Sequence, residues 1–394
     1  MIATIWQCKL SVELWRILEV GVSSPFSRSI QALRGIASSW VVLSHILVNA
    51  GGLSSDWLWV GFAKAMEPLA VAGVDLFFVI SGAIMVMVTS RPKHSTAIGE
   101  AADFAFRRIF RVYPLYLLTL AVTATVFFRV QGAWAPEVGN LLGIATLIDG
   151  PGLAHPVAWT LIFEVRFYLV VALLLLIDRW HMEWLFMGWM ALQTAAVLAA
   201  LMGWIPTTFW TMPFMIEFVL GAAAGLLIVK GKQGGATLSL MVGAAWIVAG
   251  YSLVLLDGPS MAPYRAILFA APCALLLYGI VTKERDGKLR VPKSMNTIGD
   301  ASYSIYLWHY PILVLIVSSW TLKGTSSGSF LYTVTVLAVT AVVSGLSYYW
   351  FERPAVRAGQ GAYRWLSRLC SQRQAASAVV SVEEDLTPSR KRSM

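Results

Sequence analysis

Ten apolar runs, each long enough to cross a bilayer, alternate with short polar stretches along the chain. They fall at roughly 30–50, 69–90, 112–130, 158–177, 184–203, 209–229, 236–256, 264–282, 301–320 and 330–351. About 20 apolar residues at ~1.5 Å per residue match a hydrocarbon layer ~30 Å thick. A further run at 138–148 is too short to span and predicts a re-entrant or interfacial piece. The pattern therefore predicts an all-α fold, a polytopic transmembrane bundle of about ten spanning helices. No solenoid period or inverted repeat is visible. No soluble catalytic domain is expected at either end, so any chemistry must use the bundle and its loops.

Composition agrees with this reading. The 394 residues are 58% hydrophobic and 13% charged, with a mean hydropathy of +0.69. Soluble domains carry about 25% charged residues. Seventeen Trp and thirteen Tyr suit aromatic belts at the two interfaces. The net charge of +9 does not imply nucleic acid, because the cations are sorted by side. With the N-terminus inside, 24 of the 30 Lys and Arg fall in inside segments and 4 in outside ones. Arg34 and Arg166 lie within spans. The positive-inside rule then makes both termini cytoplasmic.

Three segments follow: a cytoplasmic extension at 1–29, a transmembrane domain at 30–354, and a basic, partly disordered cytoplasmic tail at 355–394. Lys9, Glu13, Arg16 and Glu19 interrupt the apolar part of the extension, and no small-residue cleavage site closes it. It reads as amphipathic, not as a signal peptide. Cys8, Cys273 and Cys370 form no CxxC, so no disulfide framework or thiolate metal site is indicated.

The first run carries the most telling polar residues, Arg34 and His45. Eleven residues apart, they differ by about 20° around a helix and share one face. They are separated by ~16 Å along the axis. Intramembrane charges cost ~2.5–3.5 kcal/mol each, so such residues face a protein interior and have a function. With the assigned orientation, Arg34 is near the cytoplasmic face and His45 in the outer half. Asp75 and Glu164 fall at a similar outer level, and either could meet His45. A carboxylate beside an imidazole fixes its tautomer and raises its basicity, as a general base requires.

At the inner mouth, Arg108 and Arg111 are i,i+3 neighbours and form a cationic patch with Arg34. Guanidiniums suit bidentate phosphate binding. The pattern suggests an anionic cytosolic ligand below and proton-transfer chemistry above. It requires Arg34 and His45 to face inward with one cavity joining them.

Plainer readings exist for each residue. Arg107, Arg108 and Arg111 could be topology anchors. Arg34 could pair with a buried carboxylate, and His45 could be an interhelical donor. Asp75 and Glu164 could be packing groups. Arg166 lies about 200° round from Glu164, and it and Glu217 read as structural. His309, before Pro311, could satisfy local geometry. His94, His155 and His181 read as loop residues. Ser81-Gly82 suggests close helix packing, and Glu352 an interfacial anchor or arginine partner. No GxSxG, P-loop or GxGxxG is present, and no metal-ligand spacing occurs.

Together these pieces resemble the membrane acyltransferase 3 family, particularly the bacterial exopolysaccharide O-acetyltransferases. The matching pieces are Arg34-x10-His45, GVDLFFVISG from Gly73, and Arg108-x-x-Arg111 leading into Tyr113-Pro114. AWTLIFEVRFYL from Ala158, GDASYSIYLWHYP from Gly299 and FERP from Phe351 complete the set. Arg166 departs from the usual helix-four pattern.

The resemblance implies an integral-membrane O-acyltransferase of the bacterial inner membrane. It would move an acetyl group from acetyl-CoA, the acyl donor, to a hydroxyl of a cell-surface or exported polysaccharide. The acceptor would be a saccharide, free or lipid-linked, and membrane lipids the surroundings; neither metal nor nucleic acid is implied. His45 would match the family's essential histidine, and Arg34, Arg108 and Arg111 its essential arginines. Asp75 and Glu164 match recurrent acidic positions. An acyl-histidine route rivals direct transfer. The alternative is a transporter or flippase for a lipid-linked saccharide, with intramembrane charges lining its path.

Overall fold

The computed structural model describes residues 27–54, 56–90, 92–93, 96–132, 141–148, 154–231, 234–257 and 264–363. Residues 1–26, the tail beyond 363 and His94 lie outside the described residues, with most of the predicted extension.

The described residues form helices and no strands. They are α1 (Arg28–Gly52), α2 (Trp57–Thr89), α3 (Ala97–Gln131), the short α4 (Leu141–Thr146), α5 (Trp159–Ile177), α6 (Met182–Leu201) and α7 (Phe214–Val229). Then come α8 (Ala236–Asp257), α9 (Ala271–Arg285), α10 (Lys293–Asp300), α11 (Ser302–Ser319) and α12 (Ser326–Ser347). Eight of these helices are long and apolar enough to span, α9 together with the π turn Ala266–Ala270 that leads into it. The pair α10–α11, bent by 59°, makes a ninth candidate, and α7 is a shorter apolar helix. All ten predicted runs thus correspond to helical segments of a polytopic bundle.

Two helices start well before their apolar cores. The run predicted at 69–90 begins at Trp57, where Asp56 caps the Leu58 amide at 3.0 Å. Lys64, Glu67 and Pro68 suggest a loop, yet the helix runs through them. The run at 112–130 begins at Ala97, capped by Thr96 on Gly99. Its added turns hold Asp103, Arg107, Arg108 and Arg111. At 33 and 35 residues, α2 and α3 reach about 50 Å, longer than the hydrocarbon layer.

At the start of α1, the Glu284 carboxylate takes the Arg28 and Ser29 amides at 2.9 and 3.1 Å. An anion there meets otherwise unpaired N–H groups and the positive end of the helix dipole. At the other end of α1, the Leu53 carbonyl accepts from Gly324 at 2.7 Å. The ends of α1 are thereby tied to opposite faces of the bundle.

The inner scaffold is α1 on α2 and α2 on α7. A Cβ at Gly82 or Gly221 would overlap the Phe218 or Val79 carbonyl across the second contact. The backbones approach there because both positions lack side chains. The short α4 is docked on α3 by the Tyr113 and Tyr116 hydroxyls, which donate to the Thr146 and Ile144 carbonyls at 2.8 and 2.7 Å. Two π turns, Ala266–Ala270 and Tyr348–Glu352, lie beside charged residues of the site.

Candidate active site

A cavity opens between α1, α2, α3, α5 and α11, with about 90 Å³ that water-sized molecules can occupy. Arg34, Arg108 and Arg111 all line it, against one lining carboxylate, Glu164. Helix geometry explains the convergence. Arg108 and Arg111 are one turn apart on α3, and α1 brings Arg34 to the same space.

Aromatic rings and acids hold the guanidiniums. Arg108 lies over the Phe104 and Tyr168 rings, 5.3 Å from each centroid. Arg111 lies over Tyr303 at 5.4 Å and pairs with Glu352. Glu352 is 2% exposed and also accepts from Ser304. The π turn Tyr348–Glu352 delivers it inward, a placement that a regular helical wheel does not give. Arg107, by contrast, pairs with Asp103 on its own helix and stays exposed.

Above the cavity, the lining ends at Phe77, Thr160 and Tyr306. The Tyr306 hydroxyl donates to the Val157 carbonyl at 2.8 Å and lies 3.0 Å from the Thr160 hydroxyl. These bonds hold its ring across the path. Beyond it comes His309, with ring centroids 5.9 Å apart, and then His45. His45 Nδ1 is 3.0 Å from His309 Nε2, with the two rings within 7° of parallel. His45 therefore faces the bundle interior but does not line the cavity. The single cavity expected from Arg34 to His45 stops one aromatic layer short, because Tyr306 is tied to the segment leading into α5.

The carboxylates also stand elsewhere than expected. Asp75, fully buried, pairs with Arg265 on the segment before α9. Glu217 of α7, also fully buried, lies 3.7 Å from the same arginine. Asp75 thus faces α7 and α9, away from α1. Glu164 accepts from the Tyr168 hydroxyl, one turn along α5, and faces the arginines. Neither acid meets His45, whose hydrogen-bond partner is a second histidine. That partner belongs to the YLWHYP piece, and its depth on α11 was the signal in the sequence.

Other residues fall into place around this axis. His155 is buried, with Nε2 3.2 Å from the Thr119 hydroxyl. Arg166 sits over Phe209 and Trp210 at 4.6 and 5.8 Å and donates to the Ile148 carbonyl at 2.9 Å. Among the described residues, no group of three His, Cys, Asp or Glu side chains is placed to hold a metal.

A multi-helix membrane core with a cationic cavity on one side of an imidazole pair, half-buried His45 against fully buried His309, suits group transfer from an anionic donor. The chain belongs to the acyltransferase 3 family, whose acyltransferase domain matches residues 27–349. It is an integral-membrane O-acyltransferase.

It is 31% identical over 310 residues to the exopolysaccharide production protein ExoZ of Rhizobium meliloti (strain 1021), covering 74% of this chain and 91% of ExoZ. It is 28% identical over 347 residues to BcsY of Komagataeibacter xylinus, covering 83% and 82% of the two chains. The O-acetyltransferase OatA of Staphylococcus aureus (strain MRSA252) is 25% identical over 397 residues, covering 90% of this chain and 61% of OatA. No solved structure matches the chain.

Proposed function

We propose that this enzyme moves an acetyl group from acetyl-CoA to a hydroxyl of a cell-surface or exported polysaccharide, at the bacterial inner membrane. The observation that carries this reading is the convergence of Arg34, Arg108 and Arg111 in one cavity below the half-buried His45. The polysaccharide follows from the similarity to ExoZ, the acetyl group from the similarity to OatA.

The phosphates of coenzyme A dock on the three guanidiniums. The pantetheine arm rises into the bundle, and for the thioester to reach His45 the Tyr306 hydroxyl must release Val157 and Thr160. His45 removes the proton from the acceptor hydroxyl as its oxygen attacks the thioester carbonyl. The C–O bond forms, the C–S bond breaks, and the proton on His45 goes to the departing thiolate.

The test uses full-length protein in nanodiscs and radiolabelled acetyl-CoA. The acceptor is polysaccharide of the producing organism, stripped of its esters with mild alkali. Wild type should transfer label. His45→Ala should lose at least about 100-fold in kcat while inserting and purifying normally. Arg34→Gln should raise KM for acetyl-CoA by roughly tenfold or more, the worth of one charged hydrogen bond. Arg34 is a cleaner probe than Arg111, whose loss also strands Glu352. Wild-type rates in purified His45→Ala would refute the mechanism.

A further inference from the structure

We propose that His309 is the positioning residue for His45, accepting the hydrogen of His45 Nδ1 on its own Nε2 and leaving His45 Nε2 as the free base. The proposal rests on the reading of His45 as the general base and names the group that orients it.

The geometry comes first. The two nitrogens are 3.0 Å apart and the rings nearly parallel. They come from α1 and α11, residues 264 apart in the chain. His309 is fully buried. Two of the chain's five histidines are thus in direct contact inside the bundle.

The tautomer follows from the surroundings of His309. The ring also meets the backbone of Tyr306 and Ile305, one turn back on its own helix. Its Nδ1 is buried there and makes no hydrogen bond. The groups that α11 presents at that point are carbonyls, which only accept. A neutral His309 therefore keeps its hydrogen on Nδ1, and Nε2 carries the lone pair. That lone pair can accept only if His45 Nδ1 bears a hydrogen. His45 Nε2 is then unprotonated and available.

The charged and titratable surroundings support a neutral acceptor. From α1, His309 meets His45; from the segment before α5, His155; from its own helix, Tyr306 and Tyr310. No carboxylate stands among them. His309 thus does what a carboxylate does in many bases, orienting the ring and stabilising the imidazolium, without a buried anion. During transfer the proton arriving on His45 Nε2 leaves the Nδ1 hydrogen shared toward His309, and no net charge need cross between the rings.

The test compares two variants of similar size and polarity in the nanodisc assay above. In His309→Gln the carboxamide oxygen reaches the place of Nε2; in His309→Asn it falls short. His309→Gln should keep kcat within about tenfold of wild type, and His309→Asn should lose about 100-fold, the scale of general-base assistance. KM for acetyl-CoA should stay within twofold for both.

The acid limb of kcat against pH should move to lower pH in His309→Asn, because the imidazolium loses the acceptor that favours it. It should return toward wild type in His309→Gln. A merely structural histidine would give equal losses in both variants with the acid limb unmoved, and that result overturns the proposal. Wild-type kcat in both variants, with His45→Ala inactive, overturns it while leaving His45 as base. Failure of wild type to transfer from acetyl-CoA would sink the parent reading and this one together.

Discussion

Asp75 and Glu217 are two fully buried carboxylates with one arginine between them. Arg265 pairs with Asp75 and stands 3.7 Å from Glu217, and its guanidinium also lies over the Phe214 ring at 4.6 Å. Removing one partner of a buried ion pair costs ~3–5 kcal/mol, because it leaves a charge uncompensated. Arg265→Ala should therefore lower the thermal midpoint sharply, as followed by size-exclusion fluorescence after heating. Adding Asp75→Asn should recover much of the loss. A double variant as unstable as the sum of the two singles would show that the pair is not what holds these helices.

The same residues show where sequence reasoning ended. Helical spacing places Arg34 and His45 on one face, and both do face the interior. It cannot say which neighbouring helix Asp75 points to. Arg265 reads in the sequence as one of a few outside-loop cations, with no periodicity linking it to α2. His309 reads as local geometry beside Pro311, because its partner is a residue of α1.

At the scale of elements, α7 shows how a helix of 16 residues, about 24 Å long, holds its place in the bundle. It lies against α2 through Gly82, Gly221 and Gly225, and a Cβ at any of them would crowd backbone of the opposite helix. Between apolar helices in lipid, such close approach replaces the hydrophobic effect as the source of attachment. Gly221→Val should thus destabilise the protein by at least the ~1–3 kcal/mol of an overpacked core. Gly345 of α12 has nothing within 4 Å of its Cβ position, so Gly345→Ala should be near neutral. The comparison is read as midpoints of heat inactivation. Equal midpoints for the two variants would contradict the close packing.

The apolar spans were legible because length and hydropathy alone determine them. The early starts of α2 and α3 were not, since Lys64, Glu67 and Pro68 separate the opening turns of α2 from its apolar run and charged residues from Glu100 to Arg111 do the same in α3. Nor was the inward turn of Glu352, which depends on a π turn that adds a residue to the helical register.

For the whole molecule, sidedness decides whether the proposed donor can reach its cavity. The described ends, near Arg28 and Tyr363, lie toward one face. Arg28 contacts Glu284 at the end of α9, and the Tyr363 hydroxyl donates to the Gly99 carbonyl at the start of α3. Arg34, Arg108 and Arg111 open toward that face. The opposite face carries the Leu53–Gly324 bond and the bond from Ser326 to Asp56. If coenzyme A enters from the cytosol, the first face must be cytoplasmic, the orientation that the positive-inside rule predicts from the Lys and Arg distribution.

Single cysteines test this in a background with Cys8, Cys273 and Cys370 replaced. Lys288→Cys, in the exposed turn after α9, should resist a membrane-impermeant maleimide in intact spheroplasts and react once they are opened. Thr208→Cys, in the exposed loop between α6 and α7, should react without opening. The reverse pattern would place the guanidiniums on the outer side, out of reach of a cytosolic thioester. The donor assigned here would then fail, whatever the imidazole pair can do.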